Sequence, residues 1–149
     1  MPSFQLTPYA ELSLNQLYEI LRLRAEVFVV EQDCPYQDLD ELDQQAYHLK
    51  TWSPKGELQA YARILPPGAS YEGYASIGRV VTSPGVRGKG FGKKLMEEAI
   101  ESCKFLFPEK PIKISAQVYL LEFYRSLGFE SDGAGYLEDG IPHIGMIRP

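Results

Sequence analysis

Residues 86–94 place three glycines and four basic side chains immediately before a helical pattern. The first N–H groups of a helix lack intrahelical partners, and the helix dipole adds partial positive charge at the same end. Glycine lets a backbone approach an anion closely, because it has no Cβ. A strand, a glycine-rich basic turn and a helix in succession are therefore suited to binding a phosphate group.

Two known phosphate motifs do not fit this turn. A Walker A loop needs Lys and Ser or Thr where Phe91 and Gly92 stand, and a Rossmann fingerprint needs glycine where Lys93 stands. A glycine-rich surface turn with solvated lysines is the alternative without a ligand. The formal net charge of −5 argues against a nucleic-acid partner, which usually needs a basic surface. The positive turn is therefore a local feature.

An acidic segment, residues 31–43, carries six carboxylates and no basic residue. Such a run is either a solvated loop or a surface that attracts a cationic ligand. Asp38 and Asp40 form a D-x-D pair, but the glycine and the terminal glutamate of a calcium loop are missing. We therefore expect no metal site in this segment.

The chain of 149 residues is long enough for one ordinary core, so we expect a single domain over residues 1–149. No apolar run approaches the ~20 residues that a membrane span requires, and residues 1–10 lack the pattern of a signal peptide. The two cysteines, Cys34 and Cys103, form no C-x-x-C pair. We therefore expect a cytoplasmic protein with free thiols and no membrane partner, and a homodimer is compatible with the sequence.

Hydrophobic spacing predicts alternating strands and helices around the basic turn. Ser13 and Gln16 form a capping box, from which a helix runs to about Val30. Gly128 marks the end of the last helix. This order predicts an α/β domain with a mostly antiparallel sheet, a parallel pair after Ala75 and flanking helices. The predicted strands are 4–7, 47–52, 58–64, 75–81, 112–116, one from Phe129 and 143–147; the other helices are 90–103 and 118–127, and residues 31–45 are a loop.

The basic turn carries a resemblance to a known family. Arg87-Gly88-Lys89-Gly90-Phe91-Gly92, with Pro84 three positions before the arginine, resembles the pyrophosphate loop of the GNAT superfamily of acyl-CoA N-acyltransferases. Phe123-Tyr124, followed by Gly128-Phe129, is similar to a second motif of that superfamily. The two motifs occur in the same order and at a similar distance as in the family.

Two further segments, residues 21–49 and 138–146, resemble the ElaA-like branch of this superfamily, which is better defined by sequence than by substrate. Together with the two motifs they span most of the chain. The resemblance implies the GNAT acyl-CoA N-acyltransferase fold, in which the central sheet splits between strand 75–81 and strand 112–116. Acetyl-CoA would lie in the resulting cleft as cosubstrate.

The resemblance also assigns the contacts of acetyl-CoA. Unpaired backbone groups of Val80, Val81 and Thr82 would bind the pantetheine arm. Gln117 stands where many members have an asparagine, one methylene shorter, that contacts the same arm. The pyrophosphate would be held by Arg87, Gly88, Lys89, Gly90, Phe91, Gly92 and Lys93.

The implied reaction is attack of a primary amine on the thioester. It needs a neutral amine, donors for the developing oxyanion, and a proton or hydrogen bond for the leaving thiolate. The Val81 N–H is a candidate oxyanion donor, and the resemblance assigns Tyr124 to the thiolate; a packing role on an amphipathic helix is the alternative for Tyr124. The candidates for the general base, acting directly or through a water chain, are Glu31, Glu41, Asp43, His48 and His143.

By resemblance the acidic segment borders the acceptor pocket, so we expect a cationic small-molecule or peptide amine as acceptor. Two alternatives remain open. Some GNAT-like domains only bind CoA as sensors, although the presence of both motifs favours catalysis. A second resemblance, to the longer acyl-homoserine-lactone synthases with their less complete loop, rests on Arg24, Val27, Phe28, Glu41 and Asp43.

Overall fold

A computed structural model describes residues 2–149, which form a seven-stranded sheet with helices on both faces. Within these residues, none of the helices has the length and apolar character that crossing a bilayer requires. The strands are β1 (Phe4–Pro8), β2 (Tyr47–Trp52), β3 (Leu58–Leu65), β4 (Ala75–Thr82), β5 (Ile112–Gln117), β6 (Glu130–Glu138) and β7 (Ile141–Arg148), and the helices are α1 (Leu14–Arg24), α2 (Phe91–Leu106) and α3 (Leu121–Ser126).

The sheet has the order β1-β2-β3-β4-β5-β7-β6, and all neighbours are antiparallel except β4 and β5. The parallel pair is joined only at its start, where Ala75 lies opposite Ile112 and Ser76 lies opposite Lys113. Beyond these pairs the two strands diverge and a cleft opens between them. The predicted mixed sheet and its split at this pair are therefore confirmed.

Two apolar clusters lie on opposite faces of the sheet. In β3, Ala60 and Ala62 face α2, whereas Tyr61 between them faces α1, because successive side chains of a strand alternate. The cluster under α1 includes Ile20 and Leu23 of that helix. The cluster under α2 buries the apolar stripe of that helix, which consists of Leu95, Met96, Ala99 and Ile100.

The capping box at the start of α1 is present. The Gln16 N–H donates to Ser13 Oγ (3.1 Å), and the Ser13 N–H donates to Gln16 Oε1 (3.0 Å). The helix extends as far as predicted, but its last part, Ala25–Glu31, has the wider π-helical turn.

The carboxyl-terminal elements differ slightly from their predicted boundaries. Val118–Leu120 forms a 3₁₀ turn, so α-helix begins only at Leu121. Gly128, with a φ of 95°, ends the helix as predicted. β7 begins at Ile141 rather than at His143, and the longer β6–β7 hairpin reaches the cleft with its turn.

Candidate active site

The divergence of β4 and β5 leaves a cavity of about 560 Å³. Its walls come from β4, β5, α3 and the β6–β7 hairpin, and part of the acidic segment covers one side. A cavity of this size suits a small ligand or part of a larger one. The polar side chains that line it include Arg63, Arg79, Gln117, Tyr124, Glu138 and His143.

β4 contains a bulge beside the cavity. Tyr61 and Arg63 of β3 lie opposite positions 81 and 78 of β4, so β4 has one residue more than β3 over this stretch. Arg79 consequently adopts a φ of +50°, which is strained for a residue with a side chain. A bulge leaves backbone groups outside the ladder. The backbone near Val80, which lines the cavity, is therefore suited to binding a ligand.

The glycine-rich turn forms an open concavity at the amino end of α2. Gly88 and Gly90 both have a φ of 80°, a left-handed conformation that residues with a Cβ rarely adopt. Nothing lies within 4 Å of the position that a Cβ would take on either glycine. Gly90 is the cap residue of α2 and supplies no side-chain hydrogen bond to it. The turn thus has the open backbone of an anion site, and Lys89 and Lys93 stand beside it.

Arg87, the arginine of the basic turn, is bound to Glu31 at the end of the π-helical segment. Its Nη1 and Nη2 lie 2.9 and 2.7 Å from the two carboxylate oxygens. The hydrogen bond raises the pKa of Arg87 and lowers the pKa of Glu31. Both side chains are partly exposed, so an anion with higher charge can displace the carboxylate from the guanidinium.

Tyr124 lies on α3 with its side chain against the cavity. The residue is 7% exposed, and the rings of Phe123 and Phe129 pack edge-on at centroid distances of 5.2 and 6.0 Å. Burial raises the pKa of Tyr124 to about 12, and no group among residues 2–149 forms a hydrogen bond with its hydroxyl. The hydroxyl therefore remains protonated at neutral pH and can donate to a ligand.

Gln117 and His143 lie directly opposite each other on β5 and β7, and Tyr136 of β6 lies opposite His143. Paired residues of antiparallel strands point to the same face, so these three side chains form a row beside the cavity. The His143 ring stacks on Tyr136 with 6.3 Å between centroids. His143 Nδ1 lies 2.7 Å from the Ile141 carbonyl oxygen, which can only accept. Nδ1 therefore carries a proton, and the lone pair of the neutral ring is on Nε2.

Two of the other candidates for the general base, Asp43 and His48, form hydrogen bonds that stabilise the fold. The Asp43 carboxylate accepts hydrogen bonds from Arg24 (2.7 Å) and Arg63 (3.0 Å). His48 is fully buried between the Tyr61 hydroxyl (2.6 Å) and the Asp43 carbonyl oxygen (2.9 Å). Burial lowers the pKa of His48, so the ring stays neutral inside the fold.

The two glutamates that the sequence proposes as bases also lie away from the cavity. Glu31 is held by Arg87 at the basic turn, and Glu41 is exposed. Neither side chain lines the cavity, whereas His143 does. Among the five candidates, all within residues 2–149, the structure brings only His143 to the same cavity as Tyr124.

The acidic segment is neutralised by arginines of α1, β3 and β4. Three aspartates meet three arginines, so the segment presents little unpaired negative charge to the cavity. These pairs offset the charge on which the expectation of a cationic acceptor rests, so that expectation stays a prediction. Part of the segment does line the cavity. The ion pairs are Arg24–Asp38 (2.9 Å), Arg24–Asp43 (2.7 Å), Arg63–Asp40 (2.7 Å), Arg63–Asp43 (3.0 Å), Arg79–Asp38 (2.7 Å) and Arg79–Asp40 (3.4 Å).

One of these contacts also holds the bulge of β4. Arg79 Nε donates to Asp38 Oδ1 (2.7 Å), and Arg79 Nη2 donates to the Asp38 carbonyl oxygen (2.8 Å). A strained backbone persists only where its surroundings hold it in place. The acidic segment thus fixes the conformation of the strand that borders the cavity.

The ion pairs make the stability of the fold depend on pH. Burial acts to raise the pKa of Asp40, but the hydrogen bonds and charge of Arg63 outweigh it and lower the pKa to about 2. In the unfolded chain the value is ~3.9. Because the folded pKa is the lower one, the stabilisation is complete above pH ~4 and is lost as the pH falls toward 2.

We therefore expect the free energy of unfolding, measured by urea titration, to fall between about pH 4 and pH 2. In the Asp40→Asn variant this fall should be smaller, since one of the titrating groups is gone. Parallel curves for the variant and the wild type would mean that the pairing of Asp40 contributes nothing to stability.

Sequence reasoning missed three charged side chains at the cavity. Arg63 and Arg79 each interrupt an apolar strand, in "AYARIL" and "SIGRVV". A charged residue in such a pattern is rarely buried without a partner, so each arginine was a signal for a nearby carboxylate. Glu138 had no local signal, because it ends a strand whose register with β7 brings it to the cavity.

Comparison with known proteins covers nearly the whole chain. Residues 11–148 match the family model described as the acetyltransferase (GNAT) domain. Protein ElaA of Escherichia coli (strain K12) is 47% identical over 142 residues, which span 94% of this chain and 92% of that protein. An acyl-CoA N-acyltransferase from Pseudomonas aeruginosa has a similar structure, with a TM-score of 0.95 at 45% identity. The crystal structure of Escherichia coli ElaA gives a TM-score of 0.92 at 44% identity, and both structural matches cover 100% of each chain.

Proposed function

Because this chain belongs to the GNAT acetyltransferase family, we propose that it transfers an acetyl group from acetyl-CoA to the primary amine of a small-molecule or peptide acceptor. The observation that carries the proposal is the position of Tyr124. Tyr124 lines the cavity where β4 and β5 diverge. Its hydroxyl is protonated, and no group among residues 2–149 forms a hydrogen bond with it. A thiolate that leaves at this point therefore meets a hydrogen-bond donor.

In this proposal acetyl-CoA runs along the bulged strand toward the glycine-rich turn. Its pantetheine arm lies beside the backbone of Val80, Val81 and Thr82, with the Gln117 side chain across the cleft. The turn suits the pyrophosphate, because its left-handed glycines leave the backbone open at a helix amino end. The residues proposed to surround the phosphates are Arg87, Gly88, Lys89, Gly90, Phe91, Gly92 and Lys93.

The amine nitrogen attacks the thioester carbonyl, the C–S bond breaks, and the products are an amide and CoA. The Val81 N–H is the proposed donor to the developing oxyanion. Complete proton transfer from Tyr124 to a thiolate with a pKa of ~8.5 would be uphill by roughly 5 kcal/mol, because the pKa of Tyr124 is about 12. Tyr124 is therefore proposed to stabilise the thiolate by a hydrogen bond. The nitrogen loses one proton to solvent as the amide forms, and solvent supplies the proton of the thiol, so the protons balance.

The resemblance to acyl-homoserine-lactone synthases has a structural explanation that needs no second activity. Arg24 and Asp43 form a buried ion pair, and Val27 is part of the core beneath α1. The ion pair anchors the acidic segment to α1. We therefore do not propose acyl-homoserine-lactone synthesis for this chain.

Release of free thiol from acetyl-CoA in the presence of a panel of primary amines tests the proposed function. We expect thiol release that depends on the amine, with one acetylated amine, detected by mass, for each thiol. Acetyl-CoA binding without an acetylated amine anywhere in the panel would instead support a CoA-binding sensor.

The role of the basic turn can be tested separately. Arg87→Ala is expected to weaken acetyl-CoA binding about 10- to 100-fold, because a hydrogen bond to a charged group contributes ~1.5–3 kcal/mol. Lys104→Ala is the control, since Lys104 is an exposed lysine in the last turn of α2, at the opposite end from the glycines. Calorimetry at one fixed salt concentration gives both dissociation constants. An Arg87→Ala protein that binds as tightly as the wild type would exclude Arg87 from the site.

A further inference from the structure

The charged side chains of the cavity divide into paired and unpaired groups. Asp40 is bound by Arg63 and Arg79, so its charge is balanced. Glu138 and Asp139, at the turn of the β6–β7 hairpin, also line the cavity. Within residues 2–149 neither of them forms an ion pair with a lysine or an arginine. The unpaired negative charge of the cavity therefore lies at the hairpin and not in the acidic segment.

His143 lies on β7 of this hairpin, close to the turn, and its side chain is 8% exposed. The Ile141 carbonyl fixes the proton on Nδ1, so the lone pair of the neutral ring is on Nε2. Nε2 lies 3.5 Å from Glu138 Oε2, which is longer than a good hydrogen bond, and it has no other polar partner among the described residues. A buried imidazole is thus held at one nitrogen, while its basic nitrogen lies near Glu138, which lines the same cavity.

The carboxylate of Glu138 is positioned by its neighbours although it is half exposed. Ser115 Oγ donates to Glu138 Oε1 (3.3 Å) and also forms a hydrogen bond with the Tyr136 hydroxyl. Tyr136 in turn stacks on the His143 ring. The acid and the base are therefore two parts of one connected cluster on β5, β6 and β7.

We propose that Glu138 binds the ammonium group of the acceptor and that His143 removes its proton, an inference that rests on the proposed N-acetyl transfer. An ammonium nitrogen between the Glu138 carboxylate and His143 Nε2 can donate a hydrogen bond to each. One proton passes from nitrogen to Nε2, which leaves a neutral amine with a free lone pair and an imidazolium beside Glu138. The imidazolium returns its proton to solvent before the next turnover.

The same geometry defines a class of acceptor. A primary amine that enters as an ammonium ion is attracted by Glu138 and Asp139, whereas a carboxylate next to the amine would be repelled by both. We therefore expect amines with an apolar body and no α-carboxylate to be preferred over α-amino acids. The apolar side chains that line the cavity are Phe28, Leu65, Ile77, Ile114, Leu120 and Ile141.

2-Phenylethylamine and phenylalanine are matched probes of this preference, because they differ only by the α-carboxylate. We expect the kcat/KM of the wild type for 2-phenylethylamine to be at least about tenfold higher than its kcat/KM for phenylalanine. This is the size of effect expected when one charge-assisted contact is lost. Glu138→Gln should raise the KM for 2-phenylethylamine roughly 10- to 100-fold and reduce the preference. Glu130→Gln, an exposed position on the same strand, is the control and should leave both amines unaffected.

His143→Asn keeps a donor toward the Ile141 carbonyl and removes Nε2. Its kcat with 2-phenylethylamine should fall about 10²-fold, as expected for loss of a general base. 2,2-Difluoro-2-phenylethylamine is far less basic and binds largely as the neutral amine, so it needs no base to remove a proton before the attack. The kcat of His143→Asn with this amine should therefore fall much less. Calorimetric affinity for acetyl-CoA, which should not change, establishes that each variant is folded.

Three results would overturn the assignment of Glu138 and His143: phenylalanine acetylated as efficiently as 2-phenylethylamine, an unchanged KM in Glu138→Gln, or equal losses for both phenylethylamines in His143→Asn. If the wild type acetylates other primary amines but not 2-phenylethylamine, this assignment fails while the proposed N-acetyl transfer stands. If no primary amine is acetylated, both fail.

Discussion

Tyr124→Phe is expected to lower kcat roughly 10²- to 10⁴-fold, the range over which positioned acid–base groups act, without changing the affinity for acetyl-CoA. The substitution removes only the hydroxyl of a residue that lines the cavity. The packing of the ring against Phe123 and Phe129 is retained, so the fold should not be affected. The lower kcat should therefore reflect slower departure of the thiolate.

Tyr119→Phe is the matched control, because Tyr119 is 76% exposed and lies on the 3₁₀ turn just before α3. Its kcat should equal that of the wild type, and both variants should keep the wild-type melting temperature. If Tyr124→Phe turns over at the wild-type rate with an acceptor whose chemical step is rate-limiting, Tyr124 is a packing residue and another group serves the thiolate.

Asp43→Asn is expected to lower the free energy of unfolding by about 3–5 kcal/mol and the melting temperature by roughly 6–20 °C. The Asp43 side chain is 8% exposed and receives hydrogen bonds from Arg24, which is fully buried, and from Arg63. Asparagine keeps the shape of the side chain but removes its charge. Two buried guanidinium groups then lose a compensating carboxylate, which costs far more than the loss of a surface pair.

Asp132→Asn removes such a surface pair and is the control. Asp132 is half exposed and lies 3.3 Å from Lys113 Nζ, and exposed pairs of this kind contribute ~0–1 kcal/mol. Differential scanning calorimetry and urea titration on both variants measure the difference. Losses that are equal and small in the two proteins would contradict the structural role assigned to the network around Asp43.

The glycine-rich turn and the elements beside it could be predicted because their signals are local. Gly88 and Gly90 adopt the left-handed conformation that an open anion-binding turn requires, and Gly128 ends the helix that carries Tyr124. Each of these residues lies within a few positions of the group that it positions. The split of the sheet after Ala75 could be expected from the family resemblance, which rests on the same local motifs.

The opposite end of the cavity could not be predicted, because its contacts join residues that are far apart in the sequence. Arg63 is 23 positions from Asp40, and Arg79 is 41 positions from Asp38, so the charge of the acidic segment alone gave a misleading picture. Glu138 approaches His143 only through the register of the β6–β7 hairpin, which is interrupted between Asp132 and Tyr136. No periodicity in the sequence fixes such a register.

Transfer of the acetyl group from acetyl-CoA to an amine is the central claim, and a single-turnover experiment tests it most directly. Enzyme in excess is mixed with acetyl-CoA labelled in its acetyl group and with a panel of primary amines that includes 2-phenylethylamine. We expect the label to appear in an N-acetyl amide, with one CoA thiol released for each label transferred. Label that is released as acetate, or that stays on CoA with every amine of the panel, would contradict the claim.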